Sequence, residues 1–424
     1  MRYVDNQPPS KSEKGKNAIG SYFIPRTTSG AQPSLKGVLQ SKEVIWRAYR
    51  SISKWMIVSG LPFNAANDPC FQEMFDAVCN LGADFKAPTM HMLRGALLDS
   101  WVDEVHDLVE SYRNVWKHTG CTIMADGWTD RCRRTLINFF VYCPKGTVFL
   151  KSVDASHASK TAYLLYQLFK DIVLFVGPEN VVQFVTNNAT NNVAAGRLLE
   201  AEFPKIFWSP CAAHCINLMF QDIGKLKEVD EAVAHASKIT KYVYNHCYPL
   251  YLMRKFTGGK EILRPAPTLF ATNFIALQSI LAQKDALRAM VTSRDWTNSA
   301  NSKDDKAKRF VEQVLNSRFW KECTDIVKIT EPLVWLLHLV DSEEKPSMGY
   351  LYQAFYKARE EMVKRFQRKK KKVEPYLKIL DSRWDSQLRR NLHAAGYWLN
   401  PGCHFNCEEF EKHELTTSSL FRCY

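Results

Sequence analysis

The chain has 424 residues, of which 46% are hydrophobic and 24% are charged. This balance is typical of a globular protein, excludes a fibrous or fully disordered one, and allows two or three domains. The formal net charge of +13 predicts a polyanionic partner, with nucleic acid first and an acidic membrane surface second. A soluble basic protein without such a partner is the third possibility.

No segment of the sequence predicts secretion or membrane insertion. Residues 1–20 are polar and lack the apolar stretch of a signal peptide. The apolar run at 333–340 contains His338 and is far shorter than the ~20 residues that span a bilayer. The 12 cysteines include no CxxC pair and do not resemble a disulfide framework, so we expect a reducing compartment, the cytosol or nucleus, and no membrane partner.

The N-terminal part of the sequence predicts an arm followed by helices. Residues 1–40 are rich in Ser, Lys, Gly and Pro and predict a disordered arm. Within residues 41–118, apolar side chains recur at helical spacing, as Ile52, Trp55 and Met56 do. We therefore predict a helical N-terminal segment there.

Residues 119–223 predict an α/β domain. Three apolar runs with tight connections, the first ending at Asp126, indicate an antiparallel meander. A helix, a fourth strand at 181–185, a second helix, a short fifth strand and a third helix follow. This order predicts an RNase H-like mixed sheet in which the fourth strand lies parallel to the first. Asp126 and Asn187 then meet at the carboxyl ends of neighbouring strands, where open α/β sheets place their sites.

The rest of the sequence is predominantly helical in pattern. Residues 224–366 predict an all-α insertion domain, with connections rich in Gly, Pro, Asn and Lys. Residues 367–424 predict a basic linker and an incomplete C-terminal part of the sheet domain.

An acid at the end of a buried strand is typical of metal-dependent phosphoryl transfer. Two-metal catalysis needs carboxylates that hold two divalent cations about 3.5–4 Å apart. Asp126 fits the first such position.

Several motifs carry a family resemblance that runs in order from about residue 90 to 402. The sequence resembles the core of plant hAT-superfamily transposases in the following segments: ADGWTD at 125–130, RTLIN at 134–138, KSVDAS at 151–156, VTNNA at 185–189, PCAAHC at 210–215, NHCYPLYLMRKFTG at 245–258, FATNF at 270–274, KPSMGYL at 345–351, RWD at 383–385 and LHAAGYWLNP at 392–401.

The resemblance implies an RNase H-like catalytic domain with a helical insertion, using a DDE triad for cut-and-paste DNA transfer. Asp126 matches the first acid, but the Thr-Asp-Asn that carries the second acid reads Thr186-Asn187-Asn188 here. We find no counterpart of the family's third acid, a Glu near its C-terminus within a dimerisation region, nor of the paired Cys and His of its zinc finger. Replacing Asp with Asn removes a negative charge on which a two-metal site depends.

Cysteine and histidine clusters offer weaker candidates. Cys211 and His214 match a Cys-x-x-His pair that, in relatives, lies near the crevice and helps to position DNA. The alternative is a packed core group, because zinc needs four ligands and no second pair stands at suitable spacing. A second cluster, with irregular spacing, is formed by Cys403, His404, Cys407 and His413.

Other candidates concern nucleic acid directly. Trp128 could stack on a base or pack beneath the site, and packing is the usual role of an aromatic residue after a strand. Arg131, Arg133 and Arg134 are candidate phosphate contacts, or a solvated turn. Seven of nine residues at 364–372 are basic, which predicts a nuclear localisation signal, a charged linker, or DNA contacts through Lys369, Lys370, Lys371 and Lys372.

The leading functional hypothesis is a transposase-derived, nucleic-acid-binding protein of the nucleus that is catalytically inactive or truncated. The second is an active DDE transposase that uses Mg²⁺ or Mn²⁺ at Asp126, with another residue such as Asp130 or Asp154, or another chain, supplying the missing acid. The third is a non-catalytic partner of related transposases in a homo- or hetero-oligomer. Only the second requires a cofactor.

Overall fold

The computed structural model describes residues 42–82, 84–156, 161–264, 271–342, 346–366 and 370–404. The predicted arm at 1–40 lies outside the described residues. The chain divides into two compact units, Met1–Asp99 and Ser100–Tyr424.

The described residues of the first unit, 42–82 and 84–99, are predominantly helical. The unit contains α1 (Lys42–Val58), a 3₁₀ turn (Phe63–Asn67), α2 (Pro69–Leu81) and α3 (Met90–Arg94), and α4 (Ala96–Thr119) begins at its end. Local sequence signals start these helices. The Asp68 carboxylate accepts the backbone N–H of Cys70 at 2.8 Å, and Pro69 occupies the first position of α2, where a missing N–H costs nothing.

The second unit contains a five-stranded mixed sheet. Its strands are β1 (Cys121–Thr129), β2 (Thr135–Cys143), β3 (Gly146–Asp154), β4 (Val181–Thr186) and β5 (Phe207–Pro210). The spatial order is β3-β2-β1-β4-β5, with β1, β2 and β3 antiparallel and β4 and β5 parallel to β1. This confirms the predicted α/β class and the RNase H-like order of strands.

Helices pack on the sheet through a core of aromatic side chains. The connecting helices are α5 (Ala162–Val176), α6 (Thr190–Glu202) and α7 (Ala212–Gly224), with a 3₁₀ turn at Pro178–Asn180. Phe169 of α5 contacts Phe184 of β4, with ring centroids 4.8 Å apart, and also Phe139 of β2. These buried rings fix α5 over the centre of the sheet.

Helices after α7 form a second core with it. They are α8 (Lys227–Asn245), α9 (Cys247–Phe256), α10 (Ala271–Ala282), α11 (Lys284–Thr292), α12 (Arg294–Thr297), α13 (Asp305–Leu315), α14 (Ser317–Val340), α15 (Met348–Arg365), α16 (Lys370–Arg383), α17 (Asn391–Leu399) and α18 (Pro401–His404), with a 3₁₀ turn at Ala300–Lys303 and a π turn at Trp384–Leu388. Cys215 and Met219 of α7 are buried in this core, so α7 joins it to the sheet.

Residues 370–404 are the described part of the segment 367–424, which the sequence predicts as a basic linker and an incomplete C-terminal part of the sheet domain. They are mostly helical, and Tyr376 and Leu380 of α16 are fully buried in the second core. The lysines at the start of α16 therefore precede a packed helix. Within the described ranges, no helix is long and apolar enough to cross a membrane.

Candidate functional site

Asp126 and Asn187 occupy equivalent places beside the sheet. The parallel pairing of β1 with β4 ends at Ala125 and Thr186. Asp126 is the next residue of β1, and Asn187 is the first residue after β4. The sequence predicts that the first strand ends at Asp126, and this is wrong. β1 continues to Thr129 because its antiparallel partner β2 is longer than β4.

The side chain of Asp126 faces away from α5. Successive side chains of a strand point to opposite faces, and Ala125 is buried in the core that contains Phe169. Asp126 is exposed on the other face. Its carboxylate interacts electrostatically with His214, the third residue of α7. Burial lowers the pKa of His214, and the negative charge of Asp126 offsets part of that lowering. A neutral imidazole near a carboxylate results.

The side chain of Asn187 is engaged by the start of α6. Its amide oxygen Oδ1 accepts the backbone N–H of Ala189 at 3.1 Å and the side-chain Nδ2 of Asn192 at 2.5 Å. Asn187 also lines a small cavity of about 110 Å³ together with Leu165 and Phe169. The oxygen that could bind a cation is therefore already engaged in local hydrogen bonds before α6.

Sequence reasoning missed the role of Asn192. The signal was present, because the Thr-Asn-Asn triplet at 186–188 recurs at 190–192. The repeat places a second amide one helical turn after the strand end.

The described residues do not fit a pair of Mg²⁺ or Mn²⁺ ions at this place. Asp126 is the one carboxylate at the two strand ends, and the described parts of the chain contain no group of three or more His, Cys, Asp or Glu side chains placed to hold a metal ion. Of the spare acids, Asp130 accepts the backbone N–H and Nε of Arg134, each at 2.7 Å. Asp154 accepts the N–H of Ser156 at 2.9 Å. Asp130 follows β1 and Asp154 ends β3, so neither carboxylate comes from the end of β4 where Asn187 lies.

Cys211 lies against the end of β4. Its backbone N–H donates to the carbonyl of Thr186 at 2.7 Å, and Cys211 precedes the first residue of α7. Burial is the largest cause of its raised pKa. Cys215, one turn later, is fully buried, and burial raises the pKa of its thiol to about 12. Both thiols are thus enclosed by the core, as expected for packed core groups.

The second cysteine cluster is described only in part. Cys403 is buried, with its Sγ 3.5 Å from Oε1 of Gln353. Cys407 and His413 lie outside the described residues.

An exposed aromatic residue lies near the end of β1, and two exposed arginines lie in the turn that follows. Trp128 is 44% exposed and shares the Asp126 face of β1. Arg134 is tied to Asp130, whereas Arg131 and Arg133 are exposed and form no ion pair within the described segments. Arg133 has a φ of 62°, in the left-handed region. Two free guanidinium groups thus flank the strand that carries Asp126.

The lysine run lies in the helical part of the chain. Lys370 and Lys371 are exposed at the start of α16, and Lys372 pairs with Asp325 of α14. Lys369 lies outside the described residues.

Comparison with known proteins supports a relationship for part of the chain. Residues 88–239 match the family model of a domain of unknown function, DUF659, which is found in hAT-like transposases. No curated protein matches the chain. The segment that contains the whole sheet, Asp126 and Asn187 is therefore similar to a transposase-associated domain.

Proposed function

We propose that this chain is a transposase-related nuclear protein that binds DNA and has lost metal-dependent strand cleavage. The observation that carries the proposal is the state of Asn187. It stands where the resemblance implies the second acid, it has no charge, and its oxygen already accepts two hydrogen bonds from the start of α6.

The charge of the chain supports DNA as the partner. Its 57 Lys and Arg exceed its 44 Asp and Glu, and Arg131 and Arg133 expose guanidinium groups beside Trp128. Contacts of this kind bind phosphates without reading the base sequence. We therefore expect affinity that falls steeply as salt rises.

The test combines binding and cleavage of labelled DNA by the purified full chain, with Mg²⁺ or Mn²⁺ present. We expect salt-sensitive binding, no strand cleavage, and equal affinity for the wild type and for Asp126→Ala. The double variant Arg131→Ala with Arg133→Ala should bind more weakly and lower the dependence of log K on log salt by about two.

Two results would overturn the proposal. Metal-dependent cleavage that disappears in Asp126→Ala would show an active enzyme with an acid from elsewhere. No DNA affinity at moderate salt, together with stable association with a related transposase chain, would favour the non-catalytic interaction role.

A further inference from the structure

An open groove of about 870 Å³ runs between α14 and α15. Its walls include Pro332 and Trp335 from α14, and Lys357, Val363, Lys364 and Arg365 from α15. We propose that this groove binds single-stranded DNA, with Trp335 stacking on a base, Lys364 contacting a phosphate within the groove and Lys328 contacting one outside its lining, one turn before Pro332 on α14. This inference rests on the proposed function and adds the surface and the form of DNA.

Trp335 is placed to stack. It is 54% exposed and lines the groove, while its neighbours Leu333 and Leu336 are fully buried on the core side of α14. The exposed part of the indole is thus open to a ligand in the groove. Beside cationic side chains, such a ring is a platform for an unpaired base.

A side-chain hydrogen bond joins α15 to α14 beside the groove. Pro332 has no backbone N–H, so the carbonyl of Lys328, four residues earlier in α14, lacks its usual helical donor. Arg365 of α15 supplies one, with Nη1 donating to that carbonyl at 3.2 Å. The replacement bond fixes α15 against α14 at the point where the groove begins.

Charges of both signs line the groove, with Glu331, Glu360 and Glu361 beside Lys357, Arg359, Lys364 and Arg365. Arg365 pairs with both Glu331 and Glu361, and Asp325 of α14 pairs with Lys372. Lys328 and Lys364 are exposed and form no ion pair in the part of the chain that the structure describes. Counting Lys328 at the border and Asp381, which pairs with Arg359, five cationic side chains stand against four carboxylates, a surplus of one positive charge.

The free cations border one face of α14. The Lys372–Asp325 pair and the Arg365–Lys328 bond hold the start of α16 and the end of α15 to adjacent turns of α14. Lys364, Lys370 and Lys371 therefore lie near the same stretch. Lys328 and Trp335 are seven residues apart, which places them on one side of the helix about 10 Å apart along its axis. A strand lying along α14 can reach both.

Single-stranded DNA fits this arrangement better than a duplex. Stacking on Trp335 requires a base that is not already stacked and paired, and aromatic platforms with flanking cations bind single strands without reading their sequence. Phosphates of a duplex would meet the lysines but not the indole.

The test is binding of a fluorescein-labelled oligothymidylate, and of a duplex of equal length, to the full chain. We expect tighter binding of the single strand and a loss of about tenfold in Trp335→Ala, with Trp335→Phe close to the wild type. Trp101→Ala is the matched control, because Trp101 is 63% exposed on α4 and lines no part of the groove. It should leave the affinity unchanged.

A second pair of variants tests the lysines. Lys328→Glu with Lys364→Glu should weaken binding and reduce the salt dependence, and Lys303→Glu with Lys306→Glu, exposed lysines outside the groove, should have a smaller effect. Equal affinity of Trp335→Ala and the wild type for single strands would overturn the inference, but the chain would still be a DNA-binding protein. Preference for the duplex, unchanged by Trp335→Ala, would do the same. Absence of any DNA binding by the wild type would remove the proposed function as well.

Discussion

Asp126 and Asn187 each follow the last residue of the parallel pairing between β1 and β4, but their side chains contact different parts of the molecule. Asp126 faces the side on which it acts on His214, whereas the amide of Asn187 is held by Ala189 and Asn192 of the next helix. Neighbouring strand ends alone therefore do not make a metal site.

Restoring the acid should not restore metal binding. In Asn187→Asp the carboxylate can accept the same hydrogen bonds, and its negative charge near the N-terminus of α6 stabilises the fold by about 0.3–1 kcal/mol. We therefore expect the carboxylate to keep these hydrogen bonds and not to bind a cation. We expect unfolding in urea at equal or higher concentration and no heat of Mg²⁺ binding by calorimetry. Asn187→Ala, which loses both hydrogen bonds, should be destabilised by about 1 kcal/mol. Mg²⁺ binding by Asn187→Asp that vanishes when Asp126 is also changed to Ala would contradict this account.

The sequence predicts which residues meet at the sheet but not where their side chains turn. The order of short apolar runs and helical patterns predicts the mixed sheet, and with it the adjacency of Asp126 and Asn187, because parallel pairing aligns carboxyl ends. After Thr186 the alternation of strand side chains stops. The direction of Asn187 is then set by the donors at the start of α6, which depend on how that helix packs.

The sequence also does not predict the length of β1 or the groove between α14 and α15. The apolar run of the first strand ends at Asp126, but hydrogen bonds to β2 extend it through polar residues to Thr129. Pro332 lies within an apolar run of α14, and nothing in the sequence links it to Arg365, which is 33 residues later. Contacts between distant segments decide both features.

Gly196 of α6 should tolerate no side chain. A Cβ at this position would overlap the indole ring of Trp208 on β5, which is itself buried. Gly196→Ala should therefore lower the free energy of unfolding by about 1–3 kcal/mol, through displacement of the helix or the ring. Gly224→Ala is the matched control, since a Cβ at Gly224 would meet no atom within 4 Å. Equal urea midpoints for the two variants would show that α6 does not pack against Trp208 in this way.

Stability should fall as the pH drops below about 6.5. His393 is buried, its Nδ1 lies 2.8 Å from the carbonyl of Leu388, and burial lowers its pKa from the ordinary 6.5, with Arg390 adding to the effect. Below pH 6.5 the unfolded chain binds a proton that the folded chain does not, so stability is present above pH 6.5 and is lost as the pH falls from there to the lower pKa of the folded chain. The loss approaches about 1.4 kcal/mol per pH unit for one such group.

The His393→Gln variant isolates this residue from other histidines. Burial also lowers the pKa of His214 and of His235, so the wild type should lose stability through more than one group. Urea unfolding of the variant between pH 7.5 and 5 should give a shallower pH dependence than that of the wild type, by about one proton. Identical slopes would mean that His393 has the same pKa in the folded and the unfolded chain, so that burial does not lower it.

Arg365 should stabilise the chain through the carbonyl that Pro332 leaves without a donor. Arg365→Ala removes the bond to the Lys328 carbonyl and the pairs with Glu331 and Glu361, and we expect a loss of about 1–3 kcal/mol. Lys364→Ala, at the exposed neighbouring position, should change stability by no more than about 0.5 kcal/mol.

A double-mutant cycle separates the carbonyl from the ion pairs. Pro332→Ala returns an N–H to α14 that can bond the Lys328 carbonyl, so Arg365→Ala should cost less in that background than in the wild type, by about 1 kcal/mol. The ion pairs are the same in both backgrounds and cancel. Urea unfolding of the four proteins gives the coupling energy directly. A coupling near zero would mean that the acids alone hold Arg365, and that Pro332 does not set the join between α14 and α15.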